Sequence, residues 1–253
     1  MRSQRINALQ EYIFEKKFAS LQELCTHFGV SLSTLRRDLE ILDGQGLIQK
    51  SYGGVAAQPP RQLITPYETR DIINREAKRK IARAAAGLVD DGDIIYIDSG
   101  STPMGMVDFL GDGRHVTILT NNVNVIVKAI PFENIEVITL SGTLSRHSYS
   151  FTGGYAAKIL LRHNINKSFM GTTGISIKNG VTNSQSSEVE IKKTAVEHCQ
   201  RSFIMADSQK IGVISLFTYC PFDGIDTIIT EDNLPSDYLE CLAANKSRVI
   251  VAP

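Results

Sequence analysis

Seven short runs of mostly apolar, β-branched character follow one another from residue 94 to the C-terminus: IIYID, VTILTN, IEVITLSG, KSFMGTTG, SFIMAD, DTIITED and SRVIVAP. Segments of helical character lie between most of them, near residues 103–111, 122–130, 153–163, 186–199 and 236–245. Strands this continuously apolar need cover on both faces, and strands that alternate with helices reach each other by parallel crossovers. The expected architecture is therefore α/β, a largely parallel sheet with helices on both sides. A helix rich in Arg, Lys and Ala, roughly Glu68 to Val89, is expected to lead into the first strand.

The pattern changes at AAQPPRQ, where Pro59 and Pro60 stop regular structure. We therefore expect a small helical domain over 1–57, a linker over 58–67 and a larger α/β domain over 68–253. In the first part, Ile6, Leu9, Ile13 and Phe14 form a helical stripe. Ser20 with Glu23 is a capping-box signature for a second helix ending near Phe28. Gly29 then supplies a turn, and Ser31 caps a third helix, SLSTLRRDLEILDGQG, which has the proportions of a helix-turn-helix. LIQKSYGGVAA alternates around Gly53-Gly54 and reads as a two-stranded wing.

On a helical wheel, Leu32, Leu35, Leu39 and Leu42 share one stripe that faces the core. Ser33 and Arg37 point away from it, flanked by Thr34 and Arg36. A face of Ser, Thr and Arg on a buried helix suits major-groove reading, because Arg bonds bidentately to guanine while hydroxyls serve bases or phosphates. The plainer alternative pairs Arg36 and Arg37 with Asp38, Glu40 or Asp43 on a solvated surface. Net charge is formally zero, so nucleic-acid binding must come from such a local patch and not from a global field. Ser31, Ser33, Thr34, Arg36 and Arg37, with Tyr52, Gly53 and Gly54 at the wing turn, are the candidate DNA contacts.

In an open parallel sheet, ligands sit beyond the C-terminal strand ends, and the polar residues of this chain collect there. Asp98, Ser99, Gly100, Ser101 and Thr102 follow the first run. Asn121 and Asn122 follow the second, Gly171, Thr172, Thr173 and Gly174 a later one, and Asp207 and Lys210 another. Hydroxyls, amides, glycines and one lysine suit a phosphorylated polyol, although each cluster alone is ordinary turn chemistry. Arg146 and His147 could add an anion contact or lie on a lid, and helix geometry leaves open whether Glu188 or Glu190 faces the ligand.

VSLSTLRRDLEILDGQGLIQKSYGGV resembles the winged helix-turn-helix of the DeoR family of bacterial sugar-responsive regulators. DGDIIYIDSGST, LTNN, FMGTTGIS, GVTNS, EVEIKK and MADSQKIG are similar, in order, to that family's effector domain, which in turn resembles the ribose-5-phosphate isomerase fold. NINKSFMGTTG, GVTNS, EVEIKK and TYCPFD look most like the repressors of myo-inositol catabolism, which suggests a keto-gluconate-type phosphate. The resemblance implies a DNA-binding transcriptional regulator that represses a carbohydrate catabolism operon through double-stranded operator DNA and is relieved by a phosphorylated sugar or polyol. Two departures stand out: Pro103 where a second Thr is frequent, and the single Gly142 in LSGTL.

The rival readings are a sugar-phosphate isomerase with an accessory helical domain, and a protein-docking module. Aldose–ketose isomerisation needs a base between adjacent carbons, and the isomerase relatives carry an acidic segment where this chain has GTTGIS. Thr172 and Thr173 cannot serve as bases near neutral pH without an activating partner, so an enzyme is not expected. Glu188, Glu190 or Lys178 remain as other conceivable proton carriers. The four scattered cysteines suggest reduced thiols, and no signal peptide or membrane span is legible. The expectation is a cytoplasmic protein without metal, cofactor or membrane partner, assembled as a homodimer or homotetramer so that two heads meet paired half-sites.

Overall fold

A computed structural model describes residues 5, 6, 8, 9, 12, 13, 16, 18–44, 48–51, 53–57 and 67–253. Phe14, Tyr52 and the linker residues 58–66 lie outside the described set. The chain divides into two compact units, Met1–Leu63 and Ile64–Pro253.

In the first unit the described residues from 5 to 16 are helical. They are followed by β1 (Phe18–Ser20), α1 (Leu21–Phe28), α2 (Leu32–Gly44), β2 (Ile48–Ser51) and β3 (Gly54–Ala57). Ser20 Oγ accepts from Glu23 N at 3.1 Å, and Gly29 closes α1 at φ 61°, the left-handed cap that glycine makes without strain. The wing is a three-stranded sheet and not a two-stranded one, because β3 also pairs antiparallel with β1. A three-residue strand such as FAS carries too little periodicity to be seen beforehand. Leu9, Ile13, Leu24, Leu35, Leu39, Leu42, Ile48 and Val55 make the buried core.

In the second unit, the expected helix over 68–89 is two helices, α3 (Tyr67–Ile72) and α4 (Arg75–Ala86). The break is at Asn74, left-handed at φ 53°, a conformation Asn adopts more readily than other L-residues. Its side chain leaves the helix to donate to Asp207 Oδ1 at 3.1 Å. Tyr67, placed in the linker by sequence, is the first helical residue and is 4% exposed.

All seven apolar runs enter one sheet: β4 (Ile94–Ile97), β5 (Val116–Thr120), β6 (Ile135–Thr139), β9 (Ile165–Gly171), β12 (Cys199–Met205), β14 (Thr227–Thr230) and β15 (Arg248–Val251). Their order is β15-β14-β12-β9-β4-β5-β6, and every neighbouring pair is parallel. Side chains alternate between two cores, Tyr96, Met170 and Ile204 on one face and Ile95, Ile97, Phe169 and Phe203 on the other. Helices α7 (Gly154–Leu160), α8 (Ser186–Glu197) and α9 (Ser236–Ala244) cover the first face. The second is covered by α4 and α6 (Val123–Ala129). Each fully buried large side chain in these layers is worth about 1.5–3 kcal/mol. The Phe169 and Phe203 rings stack at 5.0 Å.

The chain runs outward from β4 to β5 and β6, then returns beside β4 as β9 and builds in the opposite direction. That reversal makes β4/β9 the switch point of the sheet, where the two connections diverge and leave a crevice. Shorter strands line the same end: the hairpin β7 (Thr143–Ser145) and β8 (Ser150–Thr152), and the sheet of β10 (Gly174–Ser176), β11 (Gly180–Asn183) and β13 (Phe217–Cys220).

Candidate DNA-reading helix and effector site

Helix α2 presents Ser33, Arg36 and Arg37 to solvent, with Ser31 exposed just before it and Thr34 half-buried. Leu35, Leu39 and Leu42 are buried as expected, but Leu32 is 43% exposed. It occupies the first position of the helix, beyond the reach of the packing that covers the later turns. Asp38, an expected partner for the arginines, is buried and binds Arg5 at 2.8 Å, and Asp43 pairs with Lys50 at 2.7 Å. Among the described residues neither Arg36 nor Arg37 has an ion pair, so both remain available. Ser31 Oγ accepts from Thr34 N at 3.3 Å and lies 3.0 Å from the hydroxyls of both Ser33 and Thr34. At the wing turn, Gly53 is exposed at φ 81°. Gly54 is buried: a Cβ there would lie 2.6 Å from the Ala19 carbonyl oxygen, so its smallness serves the β1–β3 approach.

At the switch point, Gly100 is the N-cap of α5 (Ser101–Met104), with Pro103 tolerated in its first turn. The loop after β4 and the end of β9 touch there: a Cβ on Gly100 would lie 3.3 Å from Gly171 Cα. Asp98 is turned inward, fully buried, with Oδ2 accepting from Gly171 N at 2.9 Å and from Lys192 Nζ. Lys192 also donates to Gly171 O at 3.0 Å, and Tyr219 OH to the same oxygen at 2.9 Å. Gly171 is thereby clamped at both its N–H and its C=O. Asp98 thus positions the loop and offers no free carboxylate to a ligand. Burial, then the Asp98 charge, pushes the Tyr219 phenol well up, so it stays a donor.

Several other expected contacts also face the protein. Asn121 accepts from Tyr96 OH at 3.0 Å and donates to Phe151 O at 2.9 Å. Asn122 caps α6 through Asn124 N at 2.9 Å and donates to Asp98 O at 3.3 Å. Thr172 Oγ1 lies 2.9 Å from Gly174 O and 3.0 Å from Thr182 O, and accepts from Gly174 N at 3.1 Å. Gly174 is required because a Cβ there would collide with the Val213 carbonyl. These residues were legible as strand-end polarity, but the same polarity braces loops as readily as it binds ligands.

Others remain at the site. Thr173 is half-buried, its hydroxyl 3.5 Å from Asn183 Oδ1. Of the two glutamates, Glu188 is 5% exposed and accepts from Asn183 Nδ2 at 3.1 Å, whereas Glu190 is exposed. Arg146 is exposed in the β7–β8 turn. In that hairpin Gly142 is obligatory, since a Cβ would strike the Thr152 carbonyl. Ser99, Ser101 and Thr102 are buried, and Lys210 is half-buried beyond β12. Lys178 is exposed in the β10–β11 turn of the smaller three-stranded sheet.

Two lysines were not anticipated. Lys78 of α4 donates to Ser101 Oγ at 3.1 Å and to Arg70 O. Burial lowers its pKa from 10.5 to about 8, with Lys210 and Arg70 acting in the same direction against Asp207 and Asp71. Its signal was its position, three and four residues before Ile81 and Ala82 on the buried stripe of α4. Lys192 had a similar one, at i+4 from the buried Glu188.

Residues 5–60 match the profile of the DeoR-like helix-turn-helix domain, and residues 73–232 that of the DeoR C terminal sensor domain. The HTH-type transcriptional regulator IolR of Bacillus subtilis (strain 168) is 39% identical over 240 residues, 95% of each chain. The glycerol-3-phosphate regulon repressor of Escherichia coli (strain K12) is 28% identical over 240 residues, again 95% of each. Among solved structures, ribose 5 phosphate isomerase A from Neisseria gonorrhoeae aligns with a TM-score of 0.40 and 17% identity, covering 58% of this chain and 56% of that one. With both domains matched in order along one polypeptide, the chain belongs to the DeoR family of DNA-binding transcriptional regulators.

Proposed function

We propose that this regulator is a cytoplasmic repressor of a carbohydrate catabolism operon, and that a phosphorylated sugar or polyol bound at the β4/β9 switch point loosens its hold on double-stranded operator DNA. The observation that carries this reading is the cluster of Lys78, Ser101 and Lys210. Lys78 is half-buried, bonded to the loop after β4 and held at a pKa of about 8. Gathering cations in a desolvated place is unfavourable in the empty protein, and an arriving phosphate dianion relieves it. Thr173, just after β9, and Glu188, in the first turn of α8, would meet hydroxyls. The Escherichia coli relative, named for the glycerol-3-phosphate regulon, supports a phosphorylated polyol as the class.

On α2, Arg36 and Arg37 would read bases or phosphates, assisted by Ser31, Ser33 and Thr34. One such helix addresses one half-site, so the working unit is a homodimer or homotetramer. Ligand binding biases DNA affinity only through unequal affinity for two arrangements of the chain. An isomerase activity is not part of this reading. Thr172 is tied into its own loop, and Glu188 Oε2 accepts from Asn183.

The deciding measurement is retardation of DNA from upstream of the protein's own gene and from carbohydrate operons, with and without a panel of sugar and polyol phosphates. Retardation at low salt that one phosphate reverses is expected. If no fragment is retarded, or if a hexose or pentose phosphate is turned over to its isomer, the proposal fails.

A further inference from the structure

Between Arg75 and Arg83, helix α4 carries five cations and one acid in nine residues, although the whole chain is formally neutral. Lys78 turns inward to Ser101, whereas Arg75, Arg79, Lys80 and Arg83 are exposed. Arg75, Arg79 and Arg83 repeat at i, i+4 and i+8, so they form one stripe with about 6 Å between successive positions along the axis. The opposite side of the helix buries Ile81, Ala82, Ala85 and Ala86 against the second face of the sheet. The stripe therefore stands on a rigid mount.

Among the described residues, none of these four exposed side chains has an ion pair or a hydrogen bond. Two acids of the neighbouring segment are taken: Asp108 pairs with Lys128 at 2.7 Å and Asp112 with Arg114 at 2.7 Å. The Arg79 and Arg83 guanidiniums lie 6.0 and 5.3 Å from the Phe109 ring centroid. Contact with a ring face holds a guanidinium in place and leaves its N–H donors free. Like charges at i, i+4 repel, and an arriving polyanion relieves that repulsion. The groove among Glu76, Arg79, Lys80, Arg83, Phe109 and Pro253 measures about 120 Å³. Small-molecule pockets run from about 300 to 1,000 Å³. A whole metabolite does not fit here, whereas a phosphate projecting from a larger molecule does.

We propose that the exposed cations of α4 bind phosphates of double-stranded DNA, a second contact that the sensor unit makes in addition to the reading by α2. Phosphate contacts position a protein on a duplex and carry no sequence information, so this contact is the same on every sequence. The inference rests on the family's DNA binding and not on the effector reading.

The test uses the full-length chain, fluorescence anisotropy across a salt series, and two duplexes: one of mixed sequence and one from upstream of the protein's own gene. One variant combines Arg75→Gln, Arg79→Gln and Arg83→Gln; a second changes the same three positions to Lys. A third removes three exposed cations from the other face of the sheet, Lys158→Gln, Arg162→Gln and Lys193→Gln. The α4 glutamine variant should bind both duplexes at least tenfold more weakly, by the same factor for each. Its slope of log affinity against log salt should fall by about 3, close to one per phosphate contact. The lysine variant should keep the slope, because charge carries the contact, and the third variant should match wild type. Should the triple glutamine variant not fold, Arg79→Gln alone is expected to lower the slope by about 1. Equal losses in the two triple glutamine variants reduce the effect to net charge and overturn the proposal. An unchanged slope overturns it too, as does a slope lost in the lysine variant. A loss that sedimentation traces to a change of oligomeric state makes another copy the partner, and the proposal falls. If wild type binds neither duplex, the DNA reading falls and takes this inference with it.

Discussion

Helix α2 and the β4/β9 switch point both carry cationic side chains, yet they are built in opposite ways. On α2 the arginines are exposed and, among the described residues, free of ion pairs, and the buried stripe beneath them does nothing but pack. At the switch point the ionic groups are themselves in the interior: Lys192 and Asp98 are 4% and 1% exposed and bonded to each other. A DNA-reading face can be changed without disturbing its support. In the sensor the support and the proposed site share one segment, with Asp98 in the first and Ser101 in the second, so a change in one moves the other.

The largest expected effect tests that sharing. Lys192→Met should destabilise the sensor unit by about 3–5 kcal/mol, because it leaves Asp98 buried and unpaired. Asp98→Asn combined with Lys192→Met should recover much of the loss, since the amide oxygen introduced at position 98 can still accept from Gly171 N. Urea unfolding followed by circular dichroism measures both, and a single variant as stable as wild type would falsify the coupling of site and core.

The next effect separates the two layers of α2. Leu35→Ala should cost about 2–5 kcal/mol of winged-domain stability, whereas Arg37→Ala should change stability by less than about 0.5 kcal/mol. Operator affinity should respond the other way, with Arg37→Ala losing about 1–3 kcal/mol if it reads a base. Should Arg37 contact only phosphate, the loss will be uniform across sequences and the salt slope will fall by about 1.

The smallest effect is a pH dependence. Lys78 titrates at about 8 in the empty protein, and its charged form is the one that attracts a phosphate. Affinity for a phosphorylated probe should be full below pH 8 and decline as pH rises through it, while the phosphate, with a second pKa near about 6, stays dianionic. Folding stability carries the opposite sign, because the unfolded chain holds this proton up to 10.5 while the folded chain releases it at about 8. That contribution therefore grows with pH between those values. Lys78→Met should abolish the decline in affinity, and calorimetric titration at several pH values reads it.

Much of this was legible from residues alone. The seven apolar runs became the seven parallel strands, because strands that bury both faces cannot disguise their composition. Ser20, Gly29 and the stripe of Leu35, Leu39 and Leu42 behaved as helix chemistry requires. Leu32 did not, since a wheel gives an angle and says nothing about what lies above the first turn. The helix through Asn74 was drawn as one because its break depends on Asp207, 133 residues away.

By its sequence alone the chain declared its elements, its change of pattern at Pro59 and Pro60, the exposed arginines of α2 and the polar character of the strand ends. These follow from local periodicity and from the chemistry of single residues. Only the tertiary structure decided that β9 returns beside β4, and with it that Asp98 meets Lys192 and Gly171 and that Lys78 reaches Ser101. Strand order and side-chain direction are set by long-range packing, in which residues far apart in the chain compete for the same few interior partners. No local pattern records which of them meet.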